Sequence, residues 1–109
     1  MTATGETLGR FSDPGLLVLA SLADGAKHGY AIVLDVQEMA GVHLGPGTLY
    51  GALSRLEGQG LIEPLPAEGR RRPYRLTAAG ARALEQQLTT AAAVADTGLR
   101  RLRASGAAA

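Results

Sequence analysis

A mainly α-helical fold carrying one small β-hairpin is predicted by three features of the 109-residue sequence. The first is apolar periodicity of three and four in separate stretches, the pattern of helices with one buried face. The second is a pair of short runs, residues 61–65 and 70–76, on either side of the tip Ala67-Glu68-Gly69, which reads as a hairpin. The third is order: a short helix leads straight into that hairpin, whose returning arm is rich in arginine. A helix followed by a basic hairpin is the arrangement of a winged helix-turn-helix, and a long C-terminal helix follows it.

Residues 1–11 are small and polar without periodicity, so a flexible N-terminal arm is expected. The winged helix-turn-helix occupies 12–76. Ser12 or Asp13 caps a first helix with Pro14 at or near its first position, where a missing N–H costs nothing. Leu16, Leu17, Leu19, Ala20 and Leu22 make its broad core face, and Asp24-Gly25 breaks it. A second helix is predicted over 29–40, with Tyr30, Val33, Leu34, Val36 and Met39 as core candidates and Gly41 as its end. His28 marks its start. Val42-His43-Leu44 is too short for a helix and is expected to be a small strand pairing with the hairpin.

Gly45 and Pro46 open the third helix. Leu49, Ala52, Leu53 and Leu56 recur at three and four and form its apolar stripe, which leaves Gly47, Gly51, Ser54 and Gly58 on the opposite face. Gly60 supplies the left-handed residue that ends it. In the returning arm, Tyr74 stands among Arg70, Arg71, Arg72 and Arg75.

Thr77 caps the last helix, assigned as a dimerisation helix over 77–104, with 105–109 a disordered tail. Leu84, Leu88, Ala91, Ala95, Leu99 and Leu102 advance by four, three, four, four and three, close to a heptad seam. At roughly 1.5 Å per residue this helix is a rod of about 40 Å, longer than a core of this size covers. A second copy is the expected cover. Gly80 and Gly98 each weaken it by about 0.8–1 kcal/mol relative to alanine, which calls for that partner or a bend.

Composition narrows the function. There are no cysteines and two histidines, His28 and His43, so disulfides and the usual metal sites are not expected. No serine, histidine and carboxylate assemble into a catalytic set, and 41–47 lacks the lysine of a phosphate loop; neither an enzyme nor a cofactor is expected. The longest apolar run, 16–20, is too short to span a bilayer and no leader pattern is present, so a cytoplasmic protein is expected. Net charge is only +1, yet residues 1–54 hold two basic and five acidic side chains while 55–109 hold nine basic and five acidic. A local basic surface matters more for phosphate contact than the total. A helix that reads base edges beside an arginine-rich wing that neutralises phosphates fits double-stranded DNA.

The segments HGYAIVLDV, GTLYGALSRLEGQGLIE and GRRRPYRLTAAG resemble, in order and spacing, the PadR family of bacterial winged-helix transcriptional regulators. The resemblance runs from about Pro14 to Gly80, and departs from many relatives at Gly51, where they carry proline, and Pro73, where they carry an aromatic. It implies a transcriptional regulator, with small aromatic or drug-like effectors in or near the dimer interface, although this chain has no tryptophan to stack on one. The expected protein is thus a homodimeric repressor on a palindromic operator. Thr48, Tyr50, Gly51, Ser54 and Arg55 are the candidate contacts of the helix, and Arg70, Arg71, Arg72 and Arg75 those of the wing. The competing reading is an interaction module whose basic wing docks an acidic protein and binds no promoter.

Overall fold

The computed structural model describes residues 13–106; the N-terminal arm expected over 1–11 and residues 107–109 of the expected tail lie outside them. The chain runs α1 (Pro14–Leu22), β1 (Lys27–His28), α2 (Gly29–Ala40), α3 (Pro46–Gly58), β2 (Ile62–Pro64), β3 (Pro73–Leu76) and α4 (Ala78–Ser105). Asp13 caps α1, its carboxylate accepting the Leu16 N–H at 3.0 Å. Thr77 caps α4 by accepting the Gly80 N–H at 3.0 Å and donates to the Gly60 carbonyl at 2.7 Å. One hydroxyl therefore joins the end of α3 to the start of α4. Gly41, Gly60 and Gly69 hold positive φ at the two helix ends and the hairpin tip, where a side chain would be strained.

The three strands form one antiparallel sheet in the order β1-β3-β2, with Ile62 opposite Leu76, Glu63 opposite Arg75 and His28 opposite Pro73. The third strand differs from the expectation. Lys27–His28 pairs with the hairpin, whereas Val42, His43 and Leu44 form the connection from α2 to α3, in which Leu44 turns into the core. A two-residue polar strand has no alternation to betray it, and the apolar residue of the α2–α3 connection serves packing instead.

Leu17, Val18 and Leu22 of α1, Ile32 and Val36 of α2, the stripe Leu49, Ala52, Leu53 and Leu56 of α3, Ile62 of β2 and Leu84 of α4 make one core. On α2 the buried line is Gly29, Ile32 and Val36, with Val33 packed against it. Tyr30, Leu34 and Met39, expected in the core, are exposed at 64%, 53% and 47%. Tyr30 and Leu34, two positions before Ile32 and Val36, point some 160° away around the helix, so burying one line excludes the other, while Met39 lies in the last turn. Ser21, buried on α1, donates to the Asp35 carboxylate at 2.7 Å and ties α1 to α2. The Lys27 ammonium contacts the Ser21 carbonyl and the Asp24 carboxylate at the end of α1, and holds the Asp24 carboxyl below its ordinary range.

Gly80 is not a weakness of α4 but a condition of its docking. A Cβ there would overlap the Leu61 carbonyl oxygen and come within 2.9 Å of Leu76 Cδ1. The start of α4 is thereby packed against the hairpin, and its Leu84 joins the common core. The helix continues to Ser105 and is closed by Gly106 at φ 76°, beyond the expected end of the dimerisation segment. Its 28 residues lengthen the molecule to 55 Å along its main axis. No helix among the described residues is long and apolar enough to cross a membrane.

Candidate nucleic-acid interface

With four residues of α3 committed to the core, the other side of the helix is left to solvent. Thr48, Tyr50, Gly51, Ser54 and Arg55 are all exposed. At about 100° per residue, Gly47, Gly51, Ser54 and Gly58 share an arc of about 60° opposite the buried stripe, flanked by Tyr50 on one side and Arg55 and Thr48 on the other. Cβ atoms built at Gly47, Gly51 and Gly58 would meet nothing within 4 Å. Protomer packing therefore does not require these glycines. The helix offers a strip of nearly bare backbone about three turns long.

The two flanks lead to different places. The Tyr50 ring crosses the start of α2, where a Cβ on Gly29 would sit 3.2 Å from its hydroxyl. There it joins His28, Arg70, Arg71 and Arg72 around a concavity of about 300 Å³. Arg55 turns the other way, toward Gly15 at the start of α1, and lines a groove of about 680 Å³ walled by Leu16, Leu19, Leu56, Leu61 and the Ala83 and Gln87 side of α4. The structure thus separates Arg55 from the wing.

The four wing arginines are likewise not equivalent. Arg75 points to the opposite side of β3 from Tyr74, as strand alternation requires, and forms an ion pair with Glu63, its neighbour across the sheet. Arg72 Nη1 donates to the Leu65 carbonyl at 3.1 Å, which orients the side chain and leaves its charge uncompensated. Arg71 Nη1 lies 3.3 Å from His28 Nε2, and Arg70 has no bonded partner among the described residues. Arg70, Arg71 and Arg72 all line a concavity that no carboxylate of the described residues lines. His28 belongs to this cluster although 43 residues separate it from Arg71; its place at a helix start gave no sign of that.

Along α4, Leu84 is only 4% exposed and serves the protomer's own core, while Leu88, Leu99 and Leu102 of the same stripe are 44%, 49% and 45% exposed. Ala91 is half-buried and Ala95 exposed. These six positions fall within an arc of about 80°. Val94, outside the stripe, is also exposed. The open part of the seam starts one turn later than its sequence pattern does.

A model of the transcriptional regulator PadR-like family matches residues 18–86, an interval that takes in α2, α3, the hairpin and the docked start of α4. The chain is 51% identical over 78 residues to an uncharacterised 37.1 kDa protein in a transposon of Streptomyces fradiae, covering 72% of this chain and 23% of that protein. It spans less than a quarter of that relative. It is 40% identical over 74 residues to a transcriptional regulator of Mycobacterium tuberculosis, covering 65% of this chain and 68% of the other. Among solved structures, a PadR family transcription regulator from Clostridium difficile superposes with a TM-score of 0.73 at 26% identity, over 82% of this chain and 97% of that one. Bacillus subtilis PadR in complex with operator DNA superposes with a TM-score of 0.61 at 25% identity, over 68% of this chain and 45% of that one.

Proposed function

This chain belongs to the PadR-like family of transcriptional regulators, and we propose that it works as a homodimeric repressor that grips a palindromic operator. The family is one of DNA-binding regulators rather than enzymes. One observation carries the finer reading: the bare face of α3 opens on the side where Tyr50 meets the uncompensated arginines of the wing. A helix entering the major groove along Gly47, Gly51 and Ser54 would place Ser54 and Thr48 at base edges. Arg70, Arg71 and Arg72 would then lie beside the flanking phosphates. Bacillus subtilis PadR, of this fold, has been solved in complex with operator DNA, which supports operator DNA as the partner.

Dimerisation follows from the open apolar stripe Leu88, Leu99 and Leu102 on a helix that outruns the protomer core. Ala91 and Ala95 between them permit close helix approach. A two-fold pair presents two α3 helices, so the matching operator is dyad-symmetric with half-sites about one helical turn, or a multiple of it, apart. Release by a small hydrophobic or aromatic effector completes the reading. The groove of about 680 Å³ beside α4 is of ligand size, and an occupant there would bear on the dimer helix directly.

Binding to DNA flanking the chain's own gene, followed by fluorescence anisotropy over a range of salt concentrations and by footprinting, tests the proposal. A symmetric protected site is expected, with log K falling linearly against log salt. Replacing Arg71 and Arg72 by alanine should weaken all sequences alike and flatten that slope by about 0.9 for each phosphate no longer engaged. No footprint, together with salt-sensitive capture of an acidic polypeptide by the wing, would instead establish an interaction module.

A further inference from the structure

We propose that His28, Arg71 and the Tyr50 hydroxyl form a seat for a single phosphodiester of the DNA backbone, completing a donor cluster that the protein itself leaves without an acceptor. The proposal rests on the DNA-binding reading above and names an anchoring point within it.

The imidazole of His28 is the centre of the cluster. Its Nδ1 accepts the Ala31 N–H at 3.4 Å and so caps α2, while its Nε2 lies 3.3 Å from Arg71 Nη1. Both neighbours are donors, and a neutral imidazole has one bare nitrogen to offer. With Nδ1 capping the helix, Nε2 carries a hydrogen that faces the guanidinium. With Nε2 accepting from Arg71, the hydrogen on Nδ1 faces the Ala31 amide and the cap is lost. A protonated ring faces donors on both sides. In every protonation state one donor opposes another, and both separations are longer than the usual hydrogen bond. The arrangement that satisfies all of them keeps the cap and adds an acceptor with several lone pairs, shared by His28 Nε2–H and Arg71.

The surroundings specify that acceptor. Tyr50 sets its hydroxyl over Gly29 at the same helix start, and no hydrogen bond from the described residues engages it. Arg70 and Arg72 bring further positive charge, and no carboxylate of the described residues lines the concavity. The first turn of α2, a helix of 12 residues, adds its positive dipole end. A tetrahedral monoanion with two free oxygens fits: one oxygen takes the Arg71 guanidinium, the other His28 Nε2–H and the Tyr50 hydroxyl. The seat lies between α3 and the wing, where the sugar-phosphate strand bordering an occupied groove would pass. That position selects a DNA phosphodiester over a free anion.

The test is a scan of single methylphosphonate substitutions, each removing one backbone charge, along an operator duplex bound by the parent protein and by three variants. His28→Asn retains a strong helix cap and removes the Nε2 donor; Tyr50→Phe removes only the hydroxyl; Arg71→Ala removes the guanidinium. In the parent, one phosphate in each half-site should be sensitive beside this cluster. Each variant should lose about tenfold in affinity per half-site, a charge-assisted hydrogen bond converted to a binding ratio. The penalty for neutralising that phosphate alone should then shrink in each variant, most in Arg71→Ala. Combined replacement of His28 and Arg71 should cost less than the product of the single losses, because they share one ligand. If the variants weaken every position evenly, or keep the parental sensitivity profile, the seat is refuted while DNA binding stands. A parent that shows no salt-dependent affinity for any duplex overturns the DNA reading and this proposal with it.

Discussion

Replacing Gly80 by alanine sets helix propensity against a close backbone approach, and the structure says which wins. Propensity alone favours alanine inside a helix by about 0.8–1 kcal/mol. The added Cβ, however, would occupy the position of the Leu61 carbonyl oxygen, with Leu76 Cδ1 also within 2.9 Å. That carbonyl accepts the Thr77 N–H at 3.1 Å, so it cannot withdraw without loosening the junction between hairpin and α4. Overpacking of this kind costs about 1–3 kcal/mol, and a weakened hydrogen bond about 0.5–1.5 kcal/mol. After subtracting the propensity gain, Gly80→Ala should destabilise the protein by about 1–3 kcal/mol. At roughly 4–8 °C per kcal/mol for a domain of this size, the melting temperature should fall by at least about 5 °C. Gly51→Ala is the matched control, because a Cβ there meets nothing within 4 Å; it should raise stability by about 0.8–1 kcal/mol. Calorimetry of the parent and both variants at one protein concentration, since the stability of any oligomer depends on concentration, decides the matter. A Gly80→Ala protein as stable as the parent would falsify the close-approach argument.

Three further outcomes are expected. Thr77→Ala removes a hydroxyl that both caps α4 and holds the Gly60 carbonyl; it should cost about 1–2 kcal/mol in urea unfolding with an unchanged m value, and Thr77→Ser should restore most of it. Gly51→Leu should melt no lower than the parent yet lose operator binding, since the side chain fills the bare face of α3; a dimeric variant that binds the operator as tightly as the parent would remove that face from the interface. Leu99→Glu combined with Leu102→Glu places charge on the open stripe of α4 and should give a folded monomer in light scattering, whereas an undiminished dimer would move the interface elsewhere.

Signals that act over a few neighbouring residues were legible in the chain. Pro46 and Gly60 mark the bounds of α3, Thr77 the start of α4, and the spacing of Leu49, Ala52, Leu53 and Leu56 the face that is buried. These follow from local backbone preference and helical periodicity, which need no knowledge of distant segments. The winged-helix order follows from them in turn. Long-range assembly decided the rest. Which side of α2 is buried depended on the neighbours that Ile32 and Val36 could reach, because apolar residues lie all round that helix. The third strand, Lys27–His28, exists only through its register with β3. That sheet also sorted the arginines: Arg75 fell opposite Glu63 and was paired, while Arg71 came beside His28. Gly80 was indistinguishable from Gly98 as a weak point of the helix until the Leu61 carbonyl, 19 residues earlier, was brought against it. Periodicity tells a residue which way it faces along its own element, but its partner is set by how separate elements dock, and that distance is not written in local spacing.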